Sequence, residues 1–267
     1  MEENVPMAFM LTILAGLATG IGSTIAFFVK DKSTKLLTFA MGFAAGVMLY
    51  VSFIEILPEA IHKLIHAYGD NEQLGTTYGV VAFFVGMLVV AVIDKLIPEA
   101  ENPHEFSTKM QEKAQDSNRL MRIGVLTALA LAIHNFPEGI ATFVTALDDP
   151  ELGLTIAMAI AIHNIPEGIA VSMPIYFATG DRKKAFAYSF LSGIVEPLGA
   201  VLGYFLLMDY LNETIMGLLL SGVAGIMVFI SLDQLLPAAE EYGEHHLSIY
   251  GVVLGMIVMA ASLILMI

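Results

Sequence analysis

The stretch Ile133 to Ala141 reads I-H-N-F-P-E-G-I-A, and Ile162 to Ala170 reads I-H-N-I-P-E-G-I-A. Each copy offers an imidazole, a carboxamide and a carboxylate: His134, Asn135 and Glu138 in the first, His163, Asn164 and Glu167 in the second. On a helix advancing about 100° per residue, Glu138 falls at about 40° from His134 and Asn135 at about 100°, so the glutamate lies between its partners on one face. Two such faces turned toward each other supply two imidazoles, two carboxylates and two amide oxygens, with each glutamate placed to bridge two adjacent cations. That mixed nitrogen and oxygen set suits Zn²⁺, Fe²⁺, Mn²⁺ or Co²⁺, and suits Cu⁺ poorly because Cu⁺ prefers sulfur. Pro137 and Pro166 lack an N–H and are expected to kink the helix beside the ligands. Gly139 and Gly168 let a neighbouring helix approach closely.

Both copies sit near the middle of apolar runs long enough to cross a bilayer. An ionisable side chain at that depth costs roughly 2.5–3.5 kcal/mol on insertion scales. Two histidines and two glutamates there therefore need a reason, and a bound cation is the simplest one. The composition agrees: 57% of the 267 residues are hydrophobic and 14% charged, and the mean hydropathy is +0.77. This is the make-up of an all-α polytopic membrane protein rather than of a soluble domain. The formal net charge of −14 argues against nucleic acid as a partner and fits a protein that handles cations. With no cysteine, thiolate ligands and disulfides are excluded. Met1 to Pro6 carries Glu2 and Glu3 and no basic residue, unlike a secretory signal peptide, so the first apolar run is expected to be a retained helix.

Eight apolar segments are predicted, roughly 7–29, 36–58, 78–97, 122–146, 152–177, 185–208, 214–236 and 247–266, forming a single transmembrane domain over 1–267. Of the 12 Lys and Arg residues, all but Lys63 fall after segments one, three and five. The positive-inside rule then puts those loops in the cytoplasm and both termini outside the cytoplasmic (inner) membrane. The longest connection, 98–121, is expected to be a cytoplasmic loop between helices 3 and 4. Its Glu99, Glu101, His104 and Glu105 could meet a metal leaving the protein, but read better as an ordinary solvated loop.

Three pairs of segments resemble each other. The two I-H-N-x-P-E-G-I-A copies occupy segments four and five. Gly46 to Pro58 in segment two resembles Gly225 to Pro237 in segment seven, and Tyr78-Gly-Val-Val in segment three matches Tyr250-Gly-Val-Val in segment eight. The order predicts inverted repeats, with helices 1–3 related to 6–8 and helices 4–5 as a central pair. Transporters that expose one midplane site alternately to either side are built this way.

Glu196, followed by Pro197 in the middle of segment six, reads as a ligand or counter-charge completing the site; a protonated acid bonded to a backbone carbonyl is the bland alternative. Glu55, Glu59, His62 and His66 form one stripe at the outer end of segment two, equally consistent with a vestibule for incoming cations and with an interfacial polar face. Asp233, Gln234 and Glu240 at the symmetry-related inner end of segment seven could form an exit for the cation, but read slightly better as plain interfacial residues. The 16 methionines have no repeated pairing and read as packing, and Gly16, Gly20, Gly42 and Gly46 read as helix contacts. Ser172, Ser189 and Ser192 have no adjacent base, which argues against a serine nucleophile.

The doubled H-N-x-P-E-G motif on adjacent central helices, the eight segments, the long third connection and Glu196 on the sixth helix resemble the ZIP family of divalent metal transporters. The resemblance covers essentially the whole chain. It implies transport of Zn²⁺, with Fe²⁺, Mn²⁺ or Co²⁺ as further substrates, across the cytoplasmic membrane into the cytosol. It further implies a first metal position at His134, Glu138, His163 and Glu167, and a second, adjacent one at Asn135, Glu138, Asn164, Glu167 and Glu196. Many animal and plant members carry H-E-x-P-H-E-G-D in the second motif, where this chain has Asn164 and Ile165. The expected partners are divalent metal ions and the lipid bilayer, with a homodimer as a candidate assembly, no nucleic acid and no resident cofactor. The competing readings are a passive channel with the same ligands and an intramembrane zinc-dependent hydrolase. The hydrolase reading lacks a free general base, since Asn follows each motif histidine and the buried glutamates are taken up as ligands.

Overall fold

The computed structural model describes residues 4–28, 33–96, 108–207, 210, 212–241 and 245–265. Among them, eight helices are long and apolar enough to cross a membrane: α1 (Val5–Phe28), α2 (Thr34–Ala67), α3 (Glu72–Lys95), α4 (Ser117–Leu147), α5 (Gly153–Thr179), α6 (Arg182–Leu206), α7 (Glu213–Glu240) and α8 (His246–Leu265). No strand occurs among the described residues. The predicted all-α, eight-span architecture is what the chain adopts.

Two ends differ from the sequence-based boundaries, for a shared reason. Helix α2 continues past Pro58 and α7 past Pro237, each by a five-residue π-turn, Ser52–Ile56 and Ser231–Leu235. Proline has no N–H, and its ring crowds the carbonyl four residues back. The wider turn relieves that crowding: Leu57 N–H donates to the Ser52 carbonyl, and Leu236 N–H to that of Ser231. The hydroxyls of Ser52 and Ser231 donate to the Met48 and Met227 carbonyls at 2.6 and 2.8 Å. The two π-turns occupy matching positions in the repeat read from Gly46–Pro58 and Gly225–Pro237.

The helix that contains α4 begins at Thr108, so the last part of the stretch expected as loop 98–121 is helical. Lys109 to Ala114 contains strong helix formers only. Extending an existing helix needs no new nucleus. Residues 97–107, and with them Glu99, Glu101, His104 and Glu105, lie outside the described residues.

The eight helices pack as two groups. In the first, α4 and α5 pack on each other, and both pack against α1 and α6. In the second, α2 packs on α8 and α3 on α7, with the outer half of α2 against α3 and α7. The groups meet where α2 lies on α5 and α4 on α7. Buried Met41, Met48, Leu131, Val171, Met173, Met227 and Ile230 fill this junction. Methionines here are packing, as expected.

Candidate metal site

The two motif copies put their polar groups at the centre of the first group. His134, Asn135, Asn164, Glu167 and Glu196 are fully buried, His163 and Glu138 nearly so. Both helices run unbroken through Pro137 and Pro166. Their close approach to α1 and α6 depends on glycine. A side chain on Gly139 would collide with the Glu196 carbonyl of α6, and one on Gly168 with the Thr19 carbonyl of α1. The close packing expected at these two glycines is thus realised on both sides.

Four of the seven residues singled out in the sequence, His134, Glu138, His163 and Glu167, lie against one another, and Asn164 is bonded to Glu196. One ring nitrogen from His134, one from His163 and a carboxylate oxygen of Glu167 lie within 4.8 Å of one another, a disposition that can hold a metal ion. Glu138 reaches both histidines, with Oε2 3.3 Å from His134 Nε2 and Oε1 2.8 Å from His163 Nε2. Glu167 Oε1 stands 3.4 Å from His134 Nε2, across the helix pair. Glu138 therefore lies between the two histidines, one from each helix, where the angular argument set it between His134 and Asn135 of its own helix.

The amides add a detail that spacing alone does not disclose. Asn135 Nδ2 donates to the Ser192 carbonyl of α6 at 2.9 Å, and Asn164 Nδ2 to the Ala15 carbonyl of α1 at 2.9 Å. Each amide is tethered through nitrogen, and its oxygen has no hydrogen-bond partner. Asn164 Nδ2 also donates to Glu196 Oε2 at 2.8 Å, so Glu196 is bonded to a motif residue and not to a backbone carbonyl. Oδ1 of both asparagines, Glu138 Oε2, both oxygens of Glu167 and Glu196 Oε1 are buried without a hydrogen-bond partner. Buried acceptors without donors are costly, and several in one place are what a cation binding site requires.

The outer stripe divides. Glu59 pairs with Lys63 at 3.0 Å and His66 Nδ1 with Glu213 at 2.6 Å, both exposed. Glu55 is also exposed. At the other end, Gln234 Nε2 donates to Asp233 Oδ2 at 2.8 Å and to Asp94 Oδ1 of α3 at 3.3 Å. Arg122 also binds Asp94. In the sequence Arg122 stands only as a topology charge, and the signal that Asp94 offers is a carboxylate immediately before Lys95 at the basic end of segment three.

Fold and site together define a polytopic membrane protein with an interior made to accept a cation. The chain belongs to the ZIP zinc transporter family, whose pattern matches residues 5–120 and 98–263. It is 58% identical over 267 residues to the zinc transporter ZupT of Streptococcus mutans, covering all of both chains. It is 59% identical over 268 residues to the zinc transporter ZupT of Chlorobaculum parvum, covering 99% of each. It is 56% identical over 280 residues to that of Clostridium perfringens, covering 99% of this chain and 98% of the relative. The chain is therefore a multi-pass metal-ion transporter and not an enzyme, and the intramembrane hydrolase reading is set aside.

Proposed function

We propose that this chain carries Zn²⁺ inward across the cytoplasmic membrane, with both termini outside and Fe²⁺, Mn²⁺ and Co²⁺ as weaker alternative substrates. The observation that carries the reading is the set of six buried, unpartnered acceptors on α4, α5 and α6, four of them glutamate oxygens. A first ion takes imidazole nitrogen from His134 and His163 and carboxylate oxygen from Glu138 and Glu167. A second, adjacent ion takes the amide oxygens of Asn135 and Asn164, shares the two glutamates and draws on Glu196. Tethering of each asparagine nitrogen supports this, since the oxygen is thereby presented without rotamer search.

An arriving ion sheds water in exchange for these ligands, which must be deprotonated to bind it. Helices α1, α4, α5 and α6 then shift as a group against α2, α3, α7 and α8, turning the loaded site toward the other side. The packing of helices into those two groups supports such a division. The basic loops after helices 1, 3 and 5 support the inward direction of the cytoplasmic face.

The test is uptake of labelled zinc by cells making Glu138→Ala or Glu167→Ala. Removing one direct ligand is expected to lower uptake at least about a hundredfold, beyond what loss of an outer-shell partner costs, with the protein still present in the membrane. Uptake near that of the parent chain would overturn the assignment.

A further inference from the structure

We infer that Arg122, Asp94 and Gln234 form a latch that closes the site at the end bearing the basic loops, and that this latch opens each time an ion leaves there; the inference rests on the transport reading above. Arg122 belongs to α4, in the group that carries the site. Asp94 belongs to α3 and Gln234 to α7, in the other group. Arg122 Nη2 donates to the Asp94 carbonyl at 3.1 Å and to Asp94 Oδ1 at 3.2 Å. The same oxygen accepts from Gln234 Nε2 at 3.3 Å, so one carboxylate ties three helices together. The Asp94 carbonyl lies in the last turn of α3, where helix carbonyls lack partners within the helix and favour a cation.

Directly beneath the latch is a cavity of about 10 Å³ lined by Asp94, Gln234, Leu126, Ala130, Ile133 and Ile230. It holds roughly one water molecule. Ile133 is the residue before His134, so latch, cavity and site follow one another along α4. A space of that size does not admit a hydrated dication. The other end of the molecule is unlike it. In the repeat match, Glu55 is the counterpart of Gln234, and Glu55 is exposed instead of being tied to a neighbouring helix.

A latch must also let go. The side chains of Arg122 and Asp94 are 28% and 23% exposed, so water competes with the pair and its strength is that of a partly screened contact. It links two bodies across a junction otherwise made of apolar packing, which slides without leaving polar groups stranded.

The chain has no cysteine, so a single one reports cleanly. Ala130→Cys places a thiol on the cavity wall, at a position 4% exposed. In inverted membrane vesicles holding the full chain, a membrane-impermeant maleimide is applied from the face bearing the Arg182–Lys184 turn. Arg122→Gln and Asp94→Asn are each expected to raise the labelling rate about fivefold or more. Their combination should add nothing further, and the exchanged pair Asp94→Arg with Arg122→Asp should bring the rate back toward that of Ala130→Cys alone. General loosening of the fold would not be repaired by exchanging the charges. Unchanged labelling in both single variants, or independent and additive effects with no recovery in the exchanged pair, overturns the latch. Labelling needs no transport, so the two proposals fail separately: uptake retained by Glu138→Ala sinks the site, and unchanged labelling sinks the latch.

Discussion

Helices α1 and α6 flank the same site and meet it with the same backbone, but not with the same chemistry. The Ala15 carbonyl on α1 holds Asn164, and the Ser192 carbonyl on α6 holds Asn135. The Thr19 and Glu196 carbonyls lie against Gly168 and Gly139, and Gly16 and Gly193 lie against each other where the two helices cross. Position by position, the side chain that corresponds to Glu196 is Thr19. Both are fully buried, and Thr19 Oγ1 has no hydrogen-bond partner. The frame around the site is therefore two-fold while its charge is one-sided, with a third carboxylate on the α6 side only. Glu55 and Gln234 repeat the lesson at the π-turns, where matched backbone carries a carboxylate at one end and an amide at the other.

The comparison is broken most severely by removing what both halves share. Gly139→Val and Gly168→Val each drive a branched side chain into a neighbouring helix's backbone. Each should destabilise by about 1–3 kcal/mol or more, seen as loss of full-length protein from the membrane, and to a similar degree in the two variants. A Gly168→Val chain that accumulates normally while Gly139→Val vanishes would show that the two sides are not equivalent.

Next in size is the charge asymmetry itself. Glu196→Ala should lower zinc uptake by about tenfold to a hundredfold and reduce the zinc bound per purified chain. Thr19→Ala should stay within about twofold of the parent, because it removes a buried hydroxyl that already lacks a partner. Equal losses in the two would mean that Glu196 acts as packing and not through its carboxylate.

A smaller effect is expected at the amides. Asn135→Ala and Asn164→Ala both lose an amide oxygen, but only Asn164 also supports Glu196, so its loss should be the larger in uptake and bound zinc. The smallest belongs to the surface. His66→Ala breaks an exposed pair with Glu213 and should change uptake by no more than about twofold, since such pairs contribute little.

The four side chains that meet between α4 and α5, His134, Glu138, His163 and Glu167, were legible because helix geometry is local. A repeated H-N-x-x-E in an apolar run faces one way whatever surrounds it. The π-turns were not legible, since the sequence shows a proline and leaves open whether the helix ends there or widens past it. The wrong end of loop 98–121 has the same origin: polar helix formers prolong a helix without any apolar signal. Asp94 and Arg122 escaped notice as partners because each sits among basic residues that explain themselves as topology signals.

By itself, the sequence determined the number of spans, the polar residues placed inside them and the repeat order, because burial in hydrocarbon and the 3.6-residue period act on each segment separately. Only the tertiary structure decided which helices pack as one group, which carbonyl holds each asparagine, and that Arg122 reaches from one group to the other. Those depend on contacts between segments far apart in the chain, where glycine-sized gaps and single hydrogen bonds choose among packings that composition leaves equal.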